Sequence, residues 1–228
     1  VTMGQVLIEL DTQSLDIDVD TLNNQKKVLE AQKSFYMMIR NQEDISAVDI
    51  SKYAGNVQPY LLTIIDNDKA YHNNLSTLES EKENAALNRD IANIKLEEYS
   101  RNEAVSQAEY DAQKLVVKQA ENAFIQAETN VLKAQTTYSE QVNANISEIN
   151  GKLSQIEADL NKYNLSISNQ KIVAPVNGYI NSIAVNNIGE TVTAAQQVVT
   201  IVPADSDVEM VCYIKNMDIA DIKTGMDA

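Results

Sequence analysis

Over most of this chain apolar side chains recur every three or four residues, and alternation appears only toward the two ends. The longest stripe holds Val116, Ala120, Ala123, Ala127, Val131 and Ala134, and continues through Tyr138, Val142, Ile146 and Ile156 to Ile167. From Ile146 onward its steps alternate between three and four, the heptad spacing of a coiled-coil seam, so one helix is expected from about 106 to 168. Gly151 lies inside it at a cost of about 1 kcal/mol against Ala, too little to break so long a helix. Leu15, Val19, Leu22, Leu29, Tyr36 and Ile39 predict an earlier helix that starts beside the capping side chains of Asp11, Thr12 and Ser14 and ends near Arg40. Residues 41–58 lose the period and gather turn formers. Pro59, whose missing N–H costs nothing in a first turn, then opens a helix running to about Asn102.

At about 1.5 Å per residue these helices reach roughly 40, 65 and 90 Å, so the first two together match the third. The pattern predicts a long antiparallel hairpin, its tip near 101–106 and a break or lateral step near 41–58. Its seam is Ala-rich toward the tip and Leu/Ile-rich toward the base. At the ends the pattern turns β-like: 6–11 first, then 171–180 around the turn signal Asn177-Gly178, then short runs at 182–185, 191–192 and 198–202. An alternating run at 208–214 opens a further unit. Residues 1–10 resemble 192–201, and two similar β segments so far apart are expected to pair in space. The fold class expected is therefore α+β: a long antiparallel α-helical coiled-coil hairpin (12–169) inserted into a split β domain whose halves are 1–11 and 170–203. Residues 204–228 begin another β unit. The chain opens in the middle of a β element without a start Met, which reads as an excised fragment with an anchor upstream.

Composition narrows the function classes. Ten Tyr, two Phe and no Trp leave little to fill a broad core. A net charge of −15, from 33 acidic and 18 basic residues, repels phosphate backbones and excludes a nucleic-acid partner. The single Cys212 rules out an internal disulfide, and with the single His72 it rules out the usual zinc ligand sets, so no metal is expected. Cys212 alternates with Met210 and Ile214 and reads as a small buried hydrophobe, while His72 has no nucleophile or ligand partner near it in sequence. Asp68-Lys69 falls within a helix and not at a β turn, which argues against a lysine-borne lipoate or biotin arm. No catalytic residues and no cofactor are expected, and no run of apolar residues is long enough to span a membrane.

Several segments carry a resemblance: Ile172-Val173-Ala174-Pro175-Val176-Asn177-Gly178-Tyr179-Ile180, Gly189-Glu190-Thr191-Val192, Ile201-Val202-Pro203, and Lys215-Asn216-Met217-Asp218-Ile219 with Gly225. Together they resemble the membrane fusion proteins, or periplasmic adaptor subunits, of the hemolysin D type. The resemblance implies a biotinyl-lipoyl-like domain split by an α-hairpin, followed by the start of a β-barrel domain. It also implies a membrane transporter partner of the ABC type, as in type I secretion, and self-association into a ring through which cargo passes. The expected location is the extracytoplasmic cell envelope, with a transmembrane anchor outside this chain. In that family the tip meets an exit duct of the TolC type through Arg, Leu and Ser spaced R-x₃-L-x₆-S. Here Lys95 stands for the Arg and Tyr99 for the Leu, and Ser106 is retained; Arg101 lies at the same tip. Each has a plainer reading as well: Ser106 with Glu109 forms a helix-capping box, and Lys95 and Arg101 suit solvated helix surfaces. The rival function is a structural coiled-coil spacer or client-binding clamp.

Overall fold

A computed structural model describes residues 1–185 and 187–204 together with residues 211, 213, 215, 223 and 225. Contacts divide the chain into Val1–Thr12 with Ile167–Ala228, and Gln13–Ser166. The second unit is helical: α1 (Gln13–Arg40), α2 (Gln58–Arg101) and α3 (Gln107–Asn169), with two single turns of 3₁₀ helix at Ile45–Ala47 and Ile50–Lys52. Their 28, 44 and 63 residues make helices of about 42, 66 and 94 Å.

Along α2 a stripe of buried and half-buried positions runs through Leu61, Ile64, Asp68, Tyr71, Leu75 and Leu78, then Lys82, Ala85, Arg89, Ala92, Leu96 and Tyr99, with Gln58, Ile65 and Ala86 covered beside it. Every step is three or four in strict alternation, an unbroken heptad register that three charged side chains conceal in the sequence. Each of the three meets a partner on α3. Asp68 accepts a hydrogen bond from Tyr138 Oη at 2.6 Å, Lys82 pairs with Glu128 at 3.0 Å, and the Arg89 guanidinium lies 4.3 Å from the Phe124 ring centre.

α3 faces inward at Gln113, Val117, Ala120, Phe124, Ala127, Val131, Ala134 and Tyr138, again at heptad spacing. Two extra steps of four, Tyr138 to Val142 and Val142 to Ile146, precede the return to alternation at Ile149. Eight inserted residues are one more than a heptad, so the apolar face moves around the helix by about 100°. Partners change accordingly. Before the shift α3 meets α2; beyond it Glu157 pairs with Lys26 of α1 at 3.0 Å, and Leu153 shares a groove with Lys33 and Met37. The expected stripe is confirmed from Ala127 onward and corrected nearer the tip. Val116 is 46% exposed and Ala123 is exposed too, their neighbours Val117 and Phe124 facing inward instead. Heptads extended back from Tyr138 give this register; the run of apolar letters alone does not.

The lateral step between α1 and α2 is built from a tandem repeat, Asp44-Ile45-Ser46 and Asp49-Ile50-Ser51. In each copy the Asp Oδ1 accepts both the backbone N–H and the hydroxyl of the Ser two residues on, which caps one 3₁₀ turn. Ile45 is thereby driven fully inward against Phe35 of α1 and Leu61, Ile64 and Ile65 of α2. The ends of α1 and α2 thus lie side by side around one apolar cluster.

In the other unit, β1 (Val6–Glu9) pairs antiparallel with β2 (Lys171–Val173), and β3 (Gly178–Ile183) with β4 (Val199–Pro203). Hydrogen bonds extend the first ladder in both directions, from Leu10 N to Gln170 O at 2.9 Å and from Gly178 N to Val1 O at 3.1 Å. Asn177 Oδ1 accepts from Met3 N at 2.8 Å. Residues 1–10 do meet the far end of the chain, but along 170–178 and not, as their resemblance suggested, along 192–201. The reason is local: residues 193–196 fold into a turn with Ala195 at φ 64°, which ends any strand there, and Val199–Pro203 is taken by β3. Residues 191–192 are likewise not a strand. Gly178 is buried where the two ladders meet, and a Cβ on it would overlap the Val202 carbonyl oxygen. The strand expected at 208–214, the Lys215-to-Ile219 segment and Cys212 fall largely or wholly outside the described residues.

Candidate partner-binding tip

α2 ends at Arg101 because Asn102 leaves helical geometry and accepts, through its side chain, the N–H of Ala104 at 3.0 Å. Five residues later α3 begins with the box that the spacing of Ser106 and Glu109 predicts. Ser106 N and Oγ both donate to Glu109 Oε2, at 2.9 and 2.7 Å, and Glu109 N donates back to Ser106 Oγ at 3.4 Å. These bonds hold the Glu109 carboxyl below its ordinary pKa. The negative charge sits in the first turn, where the helix dipole favours it. The turn is closed by side chains that the sequence supplies locally, so its form does not depend on a partner.

The four tip residues are not one cluster. Lys95 and Tyr99 are together, the ammonium 5.6 Å from the ring centre. Arg101 is 77% exposed and turns back along α2 to Glu97 at 3.3 Å. Ser106 is exposed and occupied by its capping bonds. A further pair was missed by reasoning from the R-x₃-L-x₆-S spacing: Lys114 lies 4.9 Å from the Tyr110 ring centre on α3. The tip is thus flanked by two Tyr–Lys pairs, one on each helix, each with its tyrosine on the side of the turn. The signal was present as K-x₃-Y followed by Y-x₃-K. Behind them, Gln113 is buried and donates its amide to Ala92 O at 3.0 Å. The arrangement offers aromatic faces, cations and acids for a protein surface, and no nucleophile poised beside a base.

The fold has a match among solved structures. The soluble domain of LipC, a membrane fusion protein of a type I secretion system, aligns with a TM-score of 0.51 at 16% identity, over 90% of this chain and 91% of that one. The periplasmic adaptor protein EmrA aligns at 13% identity with a TM-score of 0.43, over 89% of this chain and 64% of that one. No family model matches the chain, and no curated protein matches it in sequence. The shared feature is the fold itself, that of a membrane fusion protein's soluble domain. Among the described residues no helix is long and apolar enough to cross a membrane.

Proposed function

We propose that the chain is the extracytoplasmic part of an adaptor that joins a membrane transporter to the onward route of an exported substrate. The observation that carries this reading is the zipper of residues 1–10 against 170–178. It makes the helices an insertion into one β unit, and a fold of this kind is shared along nine-tenths of the chain with LipC. In this reading the transporter is of the ABC type and the β unit (1–11 and 170–203) is lipoyl-like. An anchor outside the chain holds it at the membrane. The protein is not an enzyme. The tip, with Lys95, Tyr99, Arg101 and Ser106 and now Tyr110 and Lys114, is the surface offered to an exit duct of the TolC type or its counterpart.

Assembly into a ring has support of its own. Leu87, Ile91 and Ile94 are 59%, 55% and 60% exposed and form an i, i+4, i+7 stripe on the face of α2 opposite its seam. Such a stripe suits packing against a neighbouring hairpin. The test of the adaptor reading is an export assay with Ser106→Arg. Export should fall at normal protein level and with the helical content unchanged. Unimpaired export would mean that the tip makes no contact.

A further inference from the structure

Where α3 changes partners, the three helices leave a groove of about 640 Å³, the size of a small-molecule site. Its floor is apolar and aromatic, formed by Tyr36 of α1, Ile64 and Tyr71 of α2, and Tyr138 and Val142 of α3. Its rim carries five carboxamides, Asn67, Asn74, Asn130, Gln141 and Asn145. Among the described residues no carboxylate lines it, in a chain with 33 acidic residues, and Lys133 is its single cation. The contrast is close by: a neighbouring groove that shares Tyr71 and Tyr138 is lined by Arg40, Glu43, Asp44, Asp68, Lys69 and His72.

The rim amides are available. Asn130 accepts from Gln126, but Asn67, Asn74, Gln141 and Asn145 form no side-chain hydrogen bond within the described residues. Each therefore presents a donor beside an acceptor, the pairing that adjacent hydroxyls or an acetamido group on a sugar ring satisfy. Tyr71 and Tyr138 stack on each other with ring centres 3.7 Å apart, so one face of each at most, with that of Tyr36, is left for the C–H surface of such a ring, to which a negative π face is suited. A charged ligand finds neither a cation cluster nor a carboxylate here. An extended peptide finds no strand edge to pair with, because all three walls are helices whose backbone bonds are already used.

We infer that this groove binds an uncharged, N-acetylated oligosaccharide. The inference goes beyond the adaptor reading and does not rest on it. The probe is chitotriose, titrated into the full chain and followed by ¹H–¹⁵N spectra of the side-chain amides. Saturable binding in the millimolar range or tighter is expected, with shifts centred on Asn67, Asn74, Gln141 and Asn145. A double variant, Asn74→Ala with Asn145→Ala, loses no internal hydrogen bond. It should keep its melting temperature while affinity falls about tenfold or more. An absence of saturation up to about 20 mM, far above that range, would overturn the inference. So would equal affinity in the double variant, or displacement from the same residues by an uncharged blocked peptide such as acetyl-tetraalanine-amide. Export plays no part in this measurement, so it can fail or succeed independently of the Ser106→Arg assay.

Discussion

The two halves of α3 solve the same packing problem with different chemistry. Where it lies on α1, the inward side chains are Ile146, Ile149, Leu153 and Ile156, all large and three of them under a tenth exposed. Where it lies on α2, inward Ala120 and Ala127 alternate with Phe124 and Val131, and the seam admits Gln113, Lys82 and Arg89. Apolar burial scales with area, so the first half holds most of the hydrophobic stabilisation of the hairpin. The second is thinner and specifies its register by polar pairs, since a slip of one residue would strand Asp68 from Tyr138 and Gln113 from the Ala92 carbonyl. One half supplies stability and the other alignment of the tip.

The same substitution placed in each half should separate these roles most widely. Ile156, 8% exposed, replaced by Asp loses a large buried side chain and places an unpaired carboxylate in the seam, costing about 4 kcal/mol or more. Ala120→Asp, at a half-buried position with a small side chain to lose, should cost about 1 kcal/mol. Denaturant unfolding followed by circular dichroism measures both. Equal losses would erase the distinction between the halves.

A middle-sized effect belongs at the junction. Burial first, and then the hydrogen bond to Asp68, hold the Tyr138 phenol well above its ordinary pKa. Burial also raises Tyr71, stacked on Tyr138 at 3.7 Å, and Tyr36. For a raised pKa the proton is held more tightly in the folded state. The stabilisation is complete below about pH 10, the unfolded value, and is lost as pH rises from there toward the folded value. The unfolding midpoint should therefore decline above pH 10. Tyr138→Phe should remove about 1 to 2 kcal/mol at neutral pH, discounted for partial exposure, and flatten the alkaline decline. A variant as stable as the parent at pH 7, with the same decline, would show that the Asp68 bond contributes nothing.

How much of this was legible beforehand follows from the same contrast. The helices, their break and the tip were readable because Pro59, Asn102 and the Ser106–Glu109 box act within a few residues of themselves. The α1-facing seam was readable because Ile and Leu announce it. The α2-facing seam was misread at Val116 and Ala123 because each stands beside another apolar residue, Val117 and Phe124, and only the partner helix, met by Gln113 and Phe124, decides which of the two faces inward. Strand pairing failed similarly. That residues 1–10 take 170–178 rather than 192–201 depends on the turn at 193–196, whose Ala195 in left-handed geometry no local propensity foretells. The carboxamide groove was invisible for a further reason, since it draws on three helices and on a double stutter.

Nearer the tip, Ser106→Ala should cost about 1 kcal/mol, the scale of a lost helix cap, and fray the first turn of α3 while leaving the seam intact. Hydrogen exchange would show faster amides confined to residues 107–110. Protection lost as far as Gln113 would mean that the cap supports the upper seam as well.

The smallest change in stability should come from Gln113→Leu, and it is the sharpest probe of what polar residues do in this seam. Gln113 is 6% exposed and gives its amide to a carbonyl of α2 that already belongs to a helix. Its own desolvation offsets most of what the bond contributes, so a leucine of similar volume should leave stability within about 0.5 to 1 kcal/mol of the parent. Alignment is another matter. With Leu at 113 the next hydrogen bond across the seam is Asp68–Tyr138, more than three heptads away, and a helix-sized slip near the turn no longer strands a buried amide. Paired spin labels on the outer faces of α2 and α3, at Asn88 and Asn122, should report a broader distance distribution in the variant than in the parent. A distribution of unchanged width would assign register to the ion pair and cation–π contacts of Lys82 and Arg89 alone.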